Sequence, residues 1–178
     1  MRVLRGTSFN DGPVRKAVTE FFQKKFNILL NETPTNLRLI DLTGVTETKL
    51  GVEVEGGGFV GNFWENDSYS LISGLGFRTL NIPIRKEKHW QKKPIRYRKE
   101  RHNPSYNKNI FVRTNKDFTQ IMVIRAKTIR NPKKVFRTKF KPNNSDEVEE
   151  WLSFRREDVE TYNLVDGKWI LDKTNGNK

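Results

Sequence analysis

Two glutamates one residue apart, Glu53 and Glu55 in the stretch LGVEVEGGG, follow an aspartate, Asp41, by twelve and fourteen positions. A strand projects alternate side chains to the same face, so Glu53 and Glu55 share one. If residues 37 to 42 and 50 to 55 form an antiparallel hairpin turning near Thr46 to Thr48, Asp41 falls opposite Glu53. Cross-strand neighbours of that kind lie about 4.5–5.5 Å apart at Cβ. Three carboxylates so close repel one another unless one takes a proton or a cation sits among them. Hard oxygen ligands select Mg²⁺, Mn²⁺ or Ca²⁺. A carboxylate-held Mg²⁺ activates water and stabilises charge on a phosphodiester under attack. The alternative stays open at this point: Glu53 and Glu55 line the solvated face of an amphipathic strand, and Asp41 serves a turn before LTG.

The charge balance says what such a cluster would meet. Lys and Arg number 34 against 21 Asp and Glu, a net charge of +13 in 178 residues. That excess is the electrostatic footprint of a polyanion partner. DNA is the expected partner, with RNA an open alternative. A basic protein that gathers carboxylates is a candidate nuclease: the surface attracts the chain, and the acids hold the metal that cuts it. The sequence has no cysteine and two histidines, His89 and His102. Cys nucleophiles and Cys-ligated zinc are thereby excluded, and a Ser-His-Asp triad or a His-rich metal site is disfavoured. No apolar run approaches bilayer length, and the N-terminus MRVLRGTSFND lacks the apolar core of a signal peptide. The expectation is a cytoplasmic protein without a membrane partner. The small, Lys- and Asn-rich, Cys-free composition suits a phage or mobile-element origin.

The positioning elements are read from periodicity. Residues 12 to 26 form a helix, with Pro13 in its first turn and Val14, Ala17, Val18, Phe21 and Phe22 on one stripe. A strand over 36 to 44 ends in a turn. Another over 49 to 57 puts Leu50, Val52 and Val54 on one face. A third lies within 78 to 90, where Leu80, Ile82 and Ile84 alternate and Pro83 marks an edge or a strand end. Residues 109 to 129 read as a hairpin turning near Asn115 to Asp117. Residues 145 to 162 read as a second helix, with Ser145 as N-cap and Val148, Trp151, Leu152, Val159 and Tyr162 on one face. VDGKWILD, 165 to 172, reads as a terminal hairpin or strand. No repeat or linker divides the chain, so one domain is expected over 1–178.

Two segments are densely basic. Residues 85 to 108 form an excursion that interleaves Arg85, Lys86, Lys88, Lys92, Lys93, Arg96, Arg98 and Lys99 with Trp90, Tyr97 and Tyr106. Cations there neutralise phosphates and aromatics stack on bases. Lys133 and Lys134 begin a second basic stretch. The glycines of EGGGFVGNFWEN lack the spacing of a phosphate-binding loop. They permit a bend after the strand, and beside a metal cluster they also let a nucleic-acid backbone come close.

A helix, a strand ending in Asp, a turn, a strand carrying Glu-x-Glu, then further strands and a helix resembles the PD-(D/E)XK nuclease superfamily. The resemblance covers roughly residues 12 to 90. It implies a restriction-endonuclease-like core, a central mixed β-sheet flanked by helices in an α/β (α+β) fold. Asp41 matches the first acid and Glu53 the second. Glu55 stands where the family commonly has Lys, and Ile40 stands where it has Pro. The implied activity is Mg²⁺-dependent DNA endonuclease, with Mn²⁺ able to substitute. The implied roles are Asp41 and Glu53 as metal ligands and Glu55 as a further ligand or an orienter of water. Glu20 matches a metal-associated Glu that some members carry on the N-terminal helix, although it lies off the apolar stripe and so reads first as solvated surface. With Glu55 in the Lys position, the cation that steadies the phosphate must come from elsewhere. Arg85, Lys86 and Lys88 are candidates and Lys49 a weaker one. A homodimer is the natural expectation for an enzyme that cuts both strands. The rival from another class is a non-catalytic nucleic-acid-binding protein on a degenerate nuclease fold.

Overall fold

The computed structural model describes residues 11–33, 40–47, 50–65, 77–90, 109–140 and 148–172. Helix α1, Asp11–Phe26, opens the described chain. It ends at Asn27, whose φ of 55° is the left-handed conformation Asn tolerates. The Asn27 N–H donates to the Gln23 carbonyl at 3.1 Å and the Ile28 N–H to the Phe22 carbonyl at 3.2 Å, closing the helix with an αL cap. Among the described residues ten strands follow, β1 to β10: Leu30–Glu32, Leu42–Gly44, Gly51–Gly56, Thr79–Pro83, Ile110–Thr114, Gln120–Arg125, Phe136–Phe140, Glu149–Arg155, Glu160–Val165 and Lys168–Leu171. A short helix α2, Ala126–Ile129, follows β6, and 3₁₀ turns span Phe63–Glu65, Ile84–Trp90 and Arg156–Asp158.

Seven strands make a mixed sheet in the order β1-β2-β3-β5-β6-β9-β10, and three make a second sheet, β4-β8-β7. The pair β3–β5 is parallel, Val52 against Ile110 and Glu53 against Phe111. Parallel neighbours need a long crossover. Here it runs from residue 57 to residue 109 and contributes β4 and the Ile84–Trp90 turn to the second layer. On the first face of the large sheet, Val52, Val54, Val112, Ile121 and Val123 pack with Val14, Val18, Phe21 and Phe22 of α1. On the other face, Phe111, Met122 and Ile124 pack with Leu80, Ile82, Leu152 and Phe154 of the second sheet. Strands buried on both faces read as near-continuous apolar runs, as QIMVIR does in β6.

The mixed α/β class and the central mixed sheet are as the sequence suggests. Among the described residues, the long helix covers one face, and the second sheet, with the short helix Ala126–Ile129, packs on the other. The reading of 145–162 as a helix is corrected. Its described part forms β8, a 3₁₀ turn and β9. Strand β8 is central in its sheet, pairing β4 on one side and β7 on the other. Ser153 is fully buried there, its hydroxyl 2.7 Å from that of Thr138. Val159 and Tyr162 belong to the run into the other sheet, so a stripe drawn across two strands of two sheets imitates helical spacing. Elsewhere the hairpin from β5 to β6 forms as expected, and the expected terminal strand forms as β10, in a hairpin whose other arm, β9, begins inside the stretch read as a helix. The latter turns on Asp166 and Gly167, both at positive φ as a type I′ turn requires. Pro83 ends β4, an edge strand, and the chain beyond it winds into the 3₁₀ turn instead of extending the strand.

Phe21 anchors the helix to the sheet. Its ring lies 5.4 Å from Phe22, 5.6 Å from Phe26 and 5.1 Å from both Tyr162 and Trp169. Phe21→Ala is expected to lower unfolding free energy by about 3–5 kcal/mol. Guanidinium denaturation checks this, and a loss below about 1 kcal/mol would mean that α1 is held by something other than this aromatic cluster.

Candidate functional site

The β2–β3 register pairs Leu42 with Val52. Continued by one residue, it sets Asp41 opposite Glu53, as the hairpin reading expects. Side-chain alternation sends Val52 and Val54 toward α1 and Glu53 toward the layer beneath. Glu53 is therefore no member of a solvated face, being only 7% exposed. Its carboxylate meets Lys86, whose Nζ lies 3.0 Å from Oε2. Lys86 arrives on the 3₁₀ turn after β4, and its ammonium also stands 5.8 Å from the ring centre of Phe111, the register neighbour of Glu53.

Asp41 is held from two sides. Its Oδ2 accepts the Val54 N–H at 2.9 Å, and its Oδ1 accepts from the Arg15 guanidinium at 3.1 Å. Arg15, on α1, is a member of the site that sequence reasoning missed. Its position beside the apolar stripe was the sole signal. The chain thus lines up Arg15, Asp41, Glu53 and Lys86, two acids bracketed by two cations. Burial, then the nearby Glu53 charge, push the Asp41 carboxyl from an ordinary 3.8 to about 6, against the Val54 hydrogen bond and the Lys86 charge. For Lys86, burial works against the ammonium, but the carboxylates of Glu53, Glu55 and Asp41 outweigh it and raise its pKa. Lys86 is therefore a cation at neutral pH and is unsuited to act as a base. It can stabilise negative charge that develops beside it.

Glu55 lies on the same face as Glu53, half-buried, beside Arg113 in the β3–β5 register. Its Oε2 is buried without a hydrogen-bond partner among the described residues. Its charge reaches Lys86, yet no three acidic or imidazole side chains among the described residues gather closely enough to hold a metal between them. The expected three-carboxylate convergence is thus an Asp41–Glu53 pair with Glu55 beside it.

The other sequence candidates are dispersed. Glu20 is exposed on α1, across the sheet from Glu53, because the helix buries Val18, Phe21 and Phe22 instead. It does not join the site. Trp90 is 2% exposed and sits in the core near Phe111, so it offers no face for base stacking. Arg85 is exposed beside Lys86. Lys133 is exposed, and Lys134 pairs with Asp158 at 3.0 Å. Lys49, Lys92, Lys93, Arg96, Arg98 and Lys99 lie outside the described residues, as does the side chain of Lys88. No described helix is long and apolar enough to cross a membrane. No protein-family model matches the chain, and no curated protein is significantly similar to it.

The raised Asp41 pKa has a measurable consequence. Between about pH 4 and 6 the native state binds a proton at Asp41 that the unfolded chain has released, so stability falls as pH rises through that interval. The expected loss is roughly 2–3 kcal/mol, and Asp41→Asn flattens it. Melting temperature against pH for the two proteins checks this. Parallel curves would show that Asp41 titrates at an ordinary value.

Proposed function

We propose that the protein is a metal-dependent endonuclease that hydrolyses phosphodiester bonds in DNA, on a restriction-endonuclease-like core. The observation that carries this reading is the Glu53–Lys86 contact at 3.0 Å with Asp41 alongside. An acid beside one strand, an acid on the next strand and a lysine are the three functional groups of a PD-(D/E)XK site, although here Asp41 immediately precedes β2 where the sequence suggests a strand that ends in it. The lysine here comes from a different element than the family's spacing provides, so Glu55 need not take its place.

The donor set fits Mg²⁺, with Mn²⁺ as substitute. Mg²⁺ keeps several waters and takes as few as one or two protein carboxylates, so Asp41 and Glu53 suffice without a third. Burial, and after it the Glu53 charge, disfavour the ionised Asp41 carboxyl, and a cation between the two acids would favour it; the orphaned Glu55 Oε2 is an acceptor for a metal-bound water. Bound there, the ion would supply a water of lowered pKa and a Lewis acid for the phosphate. In this reading Asp41 and Glu53 hold the ion and Glu55 orients the attacking water. Lys86, fixed by Glu53, faces the negative charge that grows on the phosphate, and the exposed Arg85 contacts the strand. The excess of cations over the whole chain draws in the polyanion. A homodimer would provide the second centre for a double-strand cut.

One observation favours the rival, a non-catalytic nucleic-acid-binding protein. Each acid already has a cation from the chain, Arg15 for Asp41 and Lys86 for Glu53. The two readings separate in a cleavage assay on supercoiled plasmid and branched DNA with Mg²⁺, Mn²⁺ or EDTA. Metal-dependent cutting is expected. Glu53→Gln, which keeps the side-chain volume, and Lys86→Met are each expected to cut at least about 100-fold more slowly while still binding DNA. Tight, salt-sensitive binding with no cutting under any metal would select the rival instead.

A further inference from the structure

The glycine-rich stretch after Glu55 leaves the sheet as a loop, and the fold holds that loop firmly. Gly57 is required by packing. Its N–H donates to the Thr114 carbonyl at 2.7 Å, and a Cβ there would meet both that carbonyl and the Phe59 ring. Beyond it, the Phe59 carbonyl accepts the Lys116 N–H at 2.8 Å, and the Asn115 side-chain amide donates to the Gly61 carbonyl at 3.1 Å. The Gln120 side chain donates to Asn62 Oδ1 at 2.9 Å and accepts the Phe63 N–H at 2.8 Å. Phe59 and Phe63 are buried beneath, with the Arg113 guanidinium 5.9 and 5.6 Å from their ring centres.

This scaffold presents an open, uncharged surface to solvent. Val60 is 68% exposed at the tip. Gly58 and Gly61 are exposed, and nothing lies within 4 Å of where their Cβ atoms would stand. Among the described residues, the N–H groups of Gly58, Val60 and Gly61 meet no hydrogen-bond acceptor. Gly61, at a φ of 77°, has a conformational reason to be glycine, but Gly58 has neither that nor a packing reason. Close approach of an external backbone is a reason that remains. The loop begins two residues after Glu55, beside the cationic Arg113 and the exposed Lys116.

We propose that residues 57 to 62 form a rigid lip that contacts the sugar–phosphate backbone of DNA beside the carboxylates. Gly58 permits the closest approach, the loop N–H groups donate to phosphate oxygens, and Val60 packs on the sugar face. The proposal rests on DNA being the ligand of the neighbouring acidic site. It is tested by binding and not by cutting, so the two can fail separately.

The test measures fluorescence anisotropy of a short labelled duplex in EDTA with wild type, Gly58→Glu, Gly58→Lys and Val45→Glu. Val45 is exposed just after β2, beside the start of β3 and so at the other end of that strand from the loop, and it controls for net charge. Because a Cβ at residue 58 meets nothing, melting temperatures of the Gly58 variants are expected to match wild type. Gly58→Glu is expected to bind about tenfold or more weakly, since a like charge is set against phosphate. Gly58→Lys should bind at least as tightly as wild type, and Val45→Glu close to it. Equal weakening by Gly58→Glu and Val45→Glu overturns the lip, as does a Gly58→Lys protein that is folded but binds no better than Gly58→Glu. A wild type that binds no nucleic acid overturns the proposed function together with the lip.

Discussion

Glu53 is a carboxylate on the inner face of a sheet, and its burial is the constraint around which the surrounding structure is arranged. Removing such a group from water costs several kcal/mol unless an opposite charge meets it at close range. The Lys86 ammonium does so at 3.0 Å. To deliver it, the crossover from β3 to β5 must carry the chain beneath the large sheet, lay down β4 and stop that strand at Pro83. The 3₁₀ turn after Pro83 then carries Lys86 under Glu53. The layer that brings the lysine also supplies Leu80, Ile82 and Trp90 to the second core. Packing and charge compensation therefore rest on the same segment.

The acids and cations form a nearly neutral group inside a strongly basic chain. Arg15 and Lys86 bracket Asp41 and Glu53. Burial first, and the Glu53 charge second, hold the Asp41 pKa at about 6, and a buried Glu55 carboxylate oxygen has no partner among the described residues. In the function proposed above, a divalent cation with its waters would meet both.

The local pattern around Asp41 and Glu53 was legible because it depends on short-range geometry. A hairpin with a closely specified turn fixes its own register, and strand alternation fixes which residues share a face. The helix over α1 was legible for a similar reason: a stripe at helical spacing with Pro at its start. The stretch from 145 to 162 was misread because β8 and β9 belong to different sheets, and their pairing partners lie far away in the chain. Trp90 was misread because its basic neighbours suggest a solvent-exposed segment, while the core beneath the sheet needed a large ring. Arg15 was missed because its link to Asp41 exists only after α1 is packed on the sheet, and its place beside the apolar stripe was the sole local signal.

The sequence by itself determined the excess of positive charge, the absence of cysteine chemistry, the helix at the start and the opposition of Asp41 to Glu53. Each follows from composition or from neighbours within a hairpin or a few helical turns. Tertiary structure alone decided that Glu53 is buried, that Lys86 rather than a residue of the same strand is its cation, and that Glu20 is excluded. Those outcomes depend on which face of the sheet each layer covers. That in turn is set by a parallel pairing between strands separated by the whole crossover, a contact no local pattern encodes.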